Sequence, residues 1–129
     1  MNNNIVITGE GIVCAIGQDK PSVLDSLQHK HSGIGTMLFL RSCHKELPVG
    51  EVPLSNDDMR NQLGVKDTMI NRTTLMGMLA VRQALEDAGI PCDAVKEKPL
   101  RLVLISGTTV AGMDITEDLF DQLSHSNRS

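Results

Sequence analysis

Tryptophan and tyrosine are absent from the sequence, and Phe39 and Phe120 are its only phenylalanines. A core therefore has to be assembled from Leu, Ile, Val, Met and Ala. The stacked aromatic platforms that grip single-stranded nucleic acid are excluded. Basic residues are few and scattered: 12 Lys and Arg stand against 16 Asp and Glu, for a formal net charge of -4. No stripe of positive charge can follow a phosphate backbone, so no nucleic-acid partner is expected. Long apolar runs are missing too. No stretch of about 18 apolar residues is present, and the opening MNNN lacks the basic and apolar regions of a secretory signal. Neither a membrane partner nor secretion is expected, and the expected location is cytoplasmic. The three cysteines, Cys14, Cys43 and Cys92, are odd in number and have no CxxC spacing. They suggest neither a disulfide framework nor a zinc site and read as reduced thiols.

What remains is an ordinary composition, 40% apolar and 22% charged over 129 residues. That is the size of one domain or of a piece of a larger one. Residues 4–8 form a β-branched run that reads as a strand before Gly9 and Gly11. Asp19 and Pro21 open a helix over about 21–29. SGIG at 32–35 is a turn, and Val49 to Val52 between two prolines reads as an edge strand. Ser55 with Asp58 marks a helix start, and Gly64 its end. The longest periodic segment runs over about 67–88, closed by Gly89. Residues 73–81 of it are apolar or small all round, which predicts a helix buried on every side. Met76, Gly77, Ala80 and Ala84 form a smooth stripe there for close packing, and Met69, Met76 and Met78 read as core filler. LRLVLI at 100–105 reads as a buried strand. SGTTVAG follows as a loop, and Asp114 with Glu117 marks a helix start with Ile115, Leu119, Phe120 and Leu123 on one face.

Several patterns invite chemistry and each has a plainer explanation. Gly9 and Gly11 after a strand lack the rest of a dinucleotide fingerprint, so they read as glycines of a tight turn with positive φ. The loop at 106–112 could cradle a phosphate at a helix N-terminus, but it lacks the Lys-Ser/Thr ending and reads as a structural turn. His29, His31, His44 and Cys43 are poorly spaced for chelation, so no metal and no cofactor are expected. Cys14, in an apolar run, reads as an inert thiol.

Taken in order, IVITGEGIVCAIG (5–17), SGIG (32–35), NRTTLMGMLAVRQALEDAGI (71–90) and LRLVLISGTTVAGMDITE (100–117) resemble the opening of a β-ketoacyl-acyl carrier protein synthase. The resemblance implies the N-terminal part of a thiolase-like layered α/β fold, normally assembled as a dimer. It also implies decarboxylative Claisen condensation of acyl and malonyl thioesters in fatty acid or polyketide synthesis. That chemistry takes a cysteine nucleophile with two histidines, or a histidine and a lysine. In the family these follow the loop matched by SGTTVAG, so residues 1–129 are expected to be a partial domain, ending before the catalytic cysteine and inactive alone. No catalytic residue is assigned. Thr109 falls where the family's loop places a side chain at the acyl pocket, and Thr109 and Val110 are the implied substrate-binding residues. The implied partners are acyl carrier protein and acyl thioesters, with a second copy or the missing C-terminal half completing the assembly. Lys66 and Arg72 make a thin version of the basic patch that meets the carrier. The alternative is a non-enzymatic module that dimerises or binds an acyl chain or carrier protein.

Overall fold

Side-chain caps decide where the helices begin in the computed structural model, which describes residues 4–90, 102–110 and 112–126. Helix α1 spans Lys20–Gln28: the Ser22 amide donates to Asp19 Oδ1 at 2.8 Å, and Pro21 supplies a preset φ in the first turn. Helix α2 spans Asn56–Leu63. Its capping box is reciprocal, with the Asp58 amide on Ser55 Oγ at 3.0 Å and the Ser55 amide on Asp58 Oδ2 at 3.2 Å. Gly64, at φ +69°, closes it.

Helix α3 spans Arg72–Asp87, starting five residues later than periodicity predicts. The cap is Asn71, whose Oδ1 accepts from the Thr74 amide at 2.8 Å. Asp67 instead accepts from the Met69 amide two residues on, which holds 67–69 in a turn. Helix α4 spans Met113–Ser126 and follows Gly112 at φ +77°. Asp114 is therefore its second residue and not the cap that the sequence suggested. Thr116 donates to the Gly112 carbonyl from both its amide and its hydroxyl, each at 3.1 Å.

Helices α2 and α3 pack together, and the buried core among the described residues is Leu54, Met59, Leu75 and Leu79. Val13, Val52, Leu63, Ile70 and Met76 pack around it. The expectation that 73–81 is covered on every side is not met by the described residues. Leu75 and Leu79 are buried, but Thr74, Gly77, Met78 and Val81 lie exposed along the opposite stripe. One layer of neighbours covers one face of a helix. Met76 is partly buried, whereas Met69 and Met78 are exposed, so their reading as core filler is corrected.

The glycine reading is corrected as well. Gly9 and Gly11 do not have positive φ. They are glycines because their backbone lies on the small-residue stripe of α3. A Cβ on Gly9 would sit 2.2 Å from the Ala84 carbonyl oxygen, and one on Gly11 only 1.9 Å from that of Ala80. Polar side chains of the same helix then hold the segment. The Glu10 amide donates to Asp87 Oδ2 at 3.0 Å and the Ile12 amide to Gln83 Oε1 at 3.1 Å. Gln83 Nε2 reaches the Gln18 carbonyl at 2.7 Å, and Lys20 Nζ lies 2.8 Å from Asp87.

Residues 4–8 and 102–105 do not join a sheet among the described residues, and positions 100 and 101 of the second expected strand lie outside them. Ile5 is 99% exposed, and Val6, Ile7 and 102–105 are exposed with it. A strand is held by its neighbours on both edges, and a pair alone is marginal in water. Two isolated antiparallel bridges are formed instead, Cys14 with Gly17 and Gly35 with Val49. The expected edge strand over 49–52 is thus a single bridge at Val49.

The Asp87 contacts predict a pH response. The hydrogen bond from Lys20, then that from the Glu10 amide, hold the Asp87 carboxyl below the ordinary carboxylate range. The pairing is complete above an unfolded aspartate's value of about 3.9 and is lost as pH falls through the lower native value. The Glu10 amide resonance is expected to report loss of its bond to Asp87 only below about pH 4, and Asp87→Asn to remove that part of its pH response.

Candidate functional site

A cleft of about 640 Å³ opens between residues 38–40, the start of α3 and the start of α4. Its construction begins at the Gly35–Val49 bridge, whose two N–H···O bonds are both 2.9 Å. That pairing folds 36–48 back on itself and brings Glu51 against 38–40. The Glu51 carboxylate accepts three consecutive amides: Leu38 at 2.6 Å, Phe39 at 3.0 and 3.1 Å, and Leu40 at 2.6 Å. Partial burial alone would raise its pKa. The three N–H donors and the nearby Arg72 guanidinium outweigh that and hold the carboxyl below its ordinary value.

Arg72 fixes the other side of this wall. Its Nη1 donates to the Leu54 carbonyl at 2.7 Å and to Asn56 Oδ1 at 3.0 Å, and its Nη2 to the Val52 carbonyl at 2.8 Å. The guanidinium also stands 5.4 Å from the centroid of the Phe39 ring, within cation–π range. These bonds hold the Arg72 guanidinium against the backbone of 52–54. Lys66 is exposed.

Leu38, Phe39, Met76, Val110 and Met113 supply apolar walls, with Arg41, Glu51 and Glu117 as charged groups at the cleft. Such a surface can hold an apolar chain against a polar head. Of the two residues singled out from sequence, Val110 lines the cleft, while Thr109 is exposed and does not. Glu51 and Phe39, which make the opposite wall, carry no sequence signal. A lone glutamate after Gly50 belongs to no motif, and only the 35–49 pairing brings it to the site.

No thiol lines the cleft among the described residues. Cys14 is half-buried beside its bridge to Gly17 and Cys43 is exposed, while Cys92 lies outside the described residues. The rings of His29 and His31 stack with centroids 5.8 Å apart, and His44 Nδ1 meets Glu46 at 3.1 Å. Among the described residues no three His, Cys, Asp or Glu side chains gather where they could hold a metal ion. No described helix is long and apolar enough to cross a membrane.

The sequence is similar to those of known proteins. Nodulation protein E of Rhizobium sp. (strain N33) is 30% identical over 120 residues, covering 91% of this chain and 28% of that protein. The 3-oxoacyl-[acyl-carrier-protein] synthase 1 of Escherichia coli (strain K12) is 33% identical over 104 residues, covering 80% of this chain and 25% of the enzyme. The synthase 1 of Buchnera aphidicola subsp. Schizaphis graminum is 30% identical over 105 residues, again 25% of its length. The chain thus spans between a quarter and a third of the length of these curated relatives. No solved structure matches it. The model of the β-ketoacyl synthase N-terminal domain matches residues 2–128, and the chain belongs to that family.

Proposed function

We propose that residues 1–129 form a partial N-terminal domain of a 3-oxoacyl-acyl carrier protein synthase, with a thiolase-like layered α/β fold when the domain is complete. The whole enzyme condenses acyl and malonyl thioesters in fatty acid or polyketide synthesis in the cytoplasm. The observation that carries this reading is the family match over 2–128. The cleft adds a physical reason: apolar walls that include Val110, next to Thr109 at the position the family gives to the acyl pocket. The partners are acyl carrier protein and acyl thioesters.

On this reading the 129 residues do not condense thioesters by themselves. The reaction needs a cysteine thiolate to take the acyl group and a second group to stabilise the charge that develops on decarboxylation. The described cysteines stand away from the cleft. Mixed with acyl-acyl carrier protein and malonyl-acyl carrier protein, the chain is expected to yield no 3-oxoacyl product, and its intact mass is expected to stay at 14.0 kDa. An acyl adduct mapped to Cys14, Cys43 or Cys92 would overturn this.

A second reading, a non-enzymatic module that dimerises or binds an acyl chain or carrier protein, is favoured in its dimerising form by one observation. The Thr74, Gly77, Met78 and Val81 stripe and the apolar residues at 5–7 and 102–105 are all exposed. Sedimentation velocity separates the two states. Concentration-dependent association is the expected result, and a stable 14.0 kDa monomer at all concentrations would exclude the dimerising form.

A further inference from the structure

We propose that residues 38–40 form a pre-organised wall of the cleft, latched by Glu51, and that this wall controls how tightly an apolar chain is held. The assignment of an acyl chain as the occupant rests on the function proposed above; the latch itself does not.

The case begins with the number of bonds on one side chain. Three successive backbone amides converge on the two oxygens of Glu51, and two of those bonds are 2.6 Å. Adjacent N–H groups face one anion only when the chain curls into a concave nest. The nest at 38–40 is thus shaped around its own carboxylate. Its side chains are then committed: Phe39 stands under the Arg72 guanidinium, and Leu38, Phe39 and Leu40 all line the cleft. Leu38 and Leu40 remain exposed at its mouth, so little apolar burial holds this wall in place. Polar bonds to one residue take over that task.

A wall held in advance does not have to be ordered when a ligand arrives, and each side chain spared that cost tightens binding by roughly two- to tenfold. Glu51 is accordingly a positioning residue. It lines the mouth but acts through Phe39 and its neighbours.

The test compares the wild-type protein with Glu51→Ala, Glu51→Gln and Phe39→Ala. Two readouts are followed: amide hydrogen exchange, and binding of the neutral apolar dye Nile red. Glu51→Ala is expected to speed exchange at Leu38, Phe39 and Leu40 at least tenfold while Leu75 and Leu79 in α3 exchange at wild-type rates. Dye affinity should fall about five- to tenfold. Glu51→Gln keeps one acceptor oxygen and should fall between the two. Phe39→Ala should weaken the dye equally but leave exchange at Leu38 and Leu40 slow, because the latch is intact. Unchanged exchange at 38–40 in Glu51→Ala overturns the proposal. So does exchange that rises equally in α3, and so does fast exchange with unaltered dye affinity. If the dye behaves as expected and dodecanoyl-coenzyme A does not bind any variant, the acyl reading fails and the latch stands.

Discussion

Gly11→Ala is expected to destabilise the chain by about 3 kcal/mol, near the upper end of the usual range for an overpacked site, whereas Gly77→Ala should stabilise it by about 0.5–1 kcal/mol. The opposite signs come from where the new methyl group would go. At Gly11 it meets the Ala80 carbonyl oxygen at 1.9 Å, with the Ala84 amide nitrogen at 2.9 Å. Both are backbone atoms of a helix and cannot swing aside, so the segment must lift off α3. Lifting also breaks the bonds of Glu10 to Asp87 and of Ile12 to Gln83. At Gly77 nothing lies within 4 Å, and the only change is the loss of glycine's backbone freedom in the unfolded chain. Urea midpoints of the two variants against wild type decide the matter. Equal shifts would mean that 9–11 does not rest on the helix.

Leu75→Ala should cost about 3–4 kcal/mol, and Leu75→Ala combined with Met59→Ala should cost less than the sum of the single changes. Leu75 and Met59 are each fully buried, and the core they share has only Leu54 and Leu79 as further buried members among the described residues. In so small a cluster the first truncation already opens the space into which the second would relax. The chain has no aromatic residue there to fill it. Chemical denaturation of the four proteins gives the coupling directly. Strict additivity would place the two side chains in separate clusters.

Local chemistry was readable where a single side chain decides the outcome. Ser55 with Asp58, Gly64, and Asp19 before Pro21 each fix a helix end by a hydrogen bond or a φ value, and the termini of α1 and α2 follow. Periodicity points to an earlier start of α3 because apolar residues extend back through Met69 and Ile70, while Asn71 supplies the stronger capping group. The burial of α3 was half right. Pattern tells how apolar a helix is, and its neighbours tell which face is covered. Gly9 and Gly11 look like turn glycines in sequence because close approach between segments some seventy residues apart leaves no local mark. At the cleft, the family resemblance points to Val110 as an expectation, whereas nothing in the sequence points to Glu51, whose meaning comes entirely from the amides folded onto it.

The seating of 9–11 on α3 also works as a ruler. Two residues of an extended chain advance about 6.6 Å and four residues of a helix about 6.0 Å, so alternate positions of one keep step with every fourth position of the other. Gly9 meets Ala84 and Ala88, and Gly11 meets Ala80. A slide by one residue would bring Glu10 and Ile12 onto the alanine backbone, and a slide by two would bring Ile7 or Val13, neither of which can approach so closely. The segment can therefore sit in one register only. Everything that follows in the chain, from the Cys14–Gly17 bridge to the cap of α1, starts from a fixed origin.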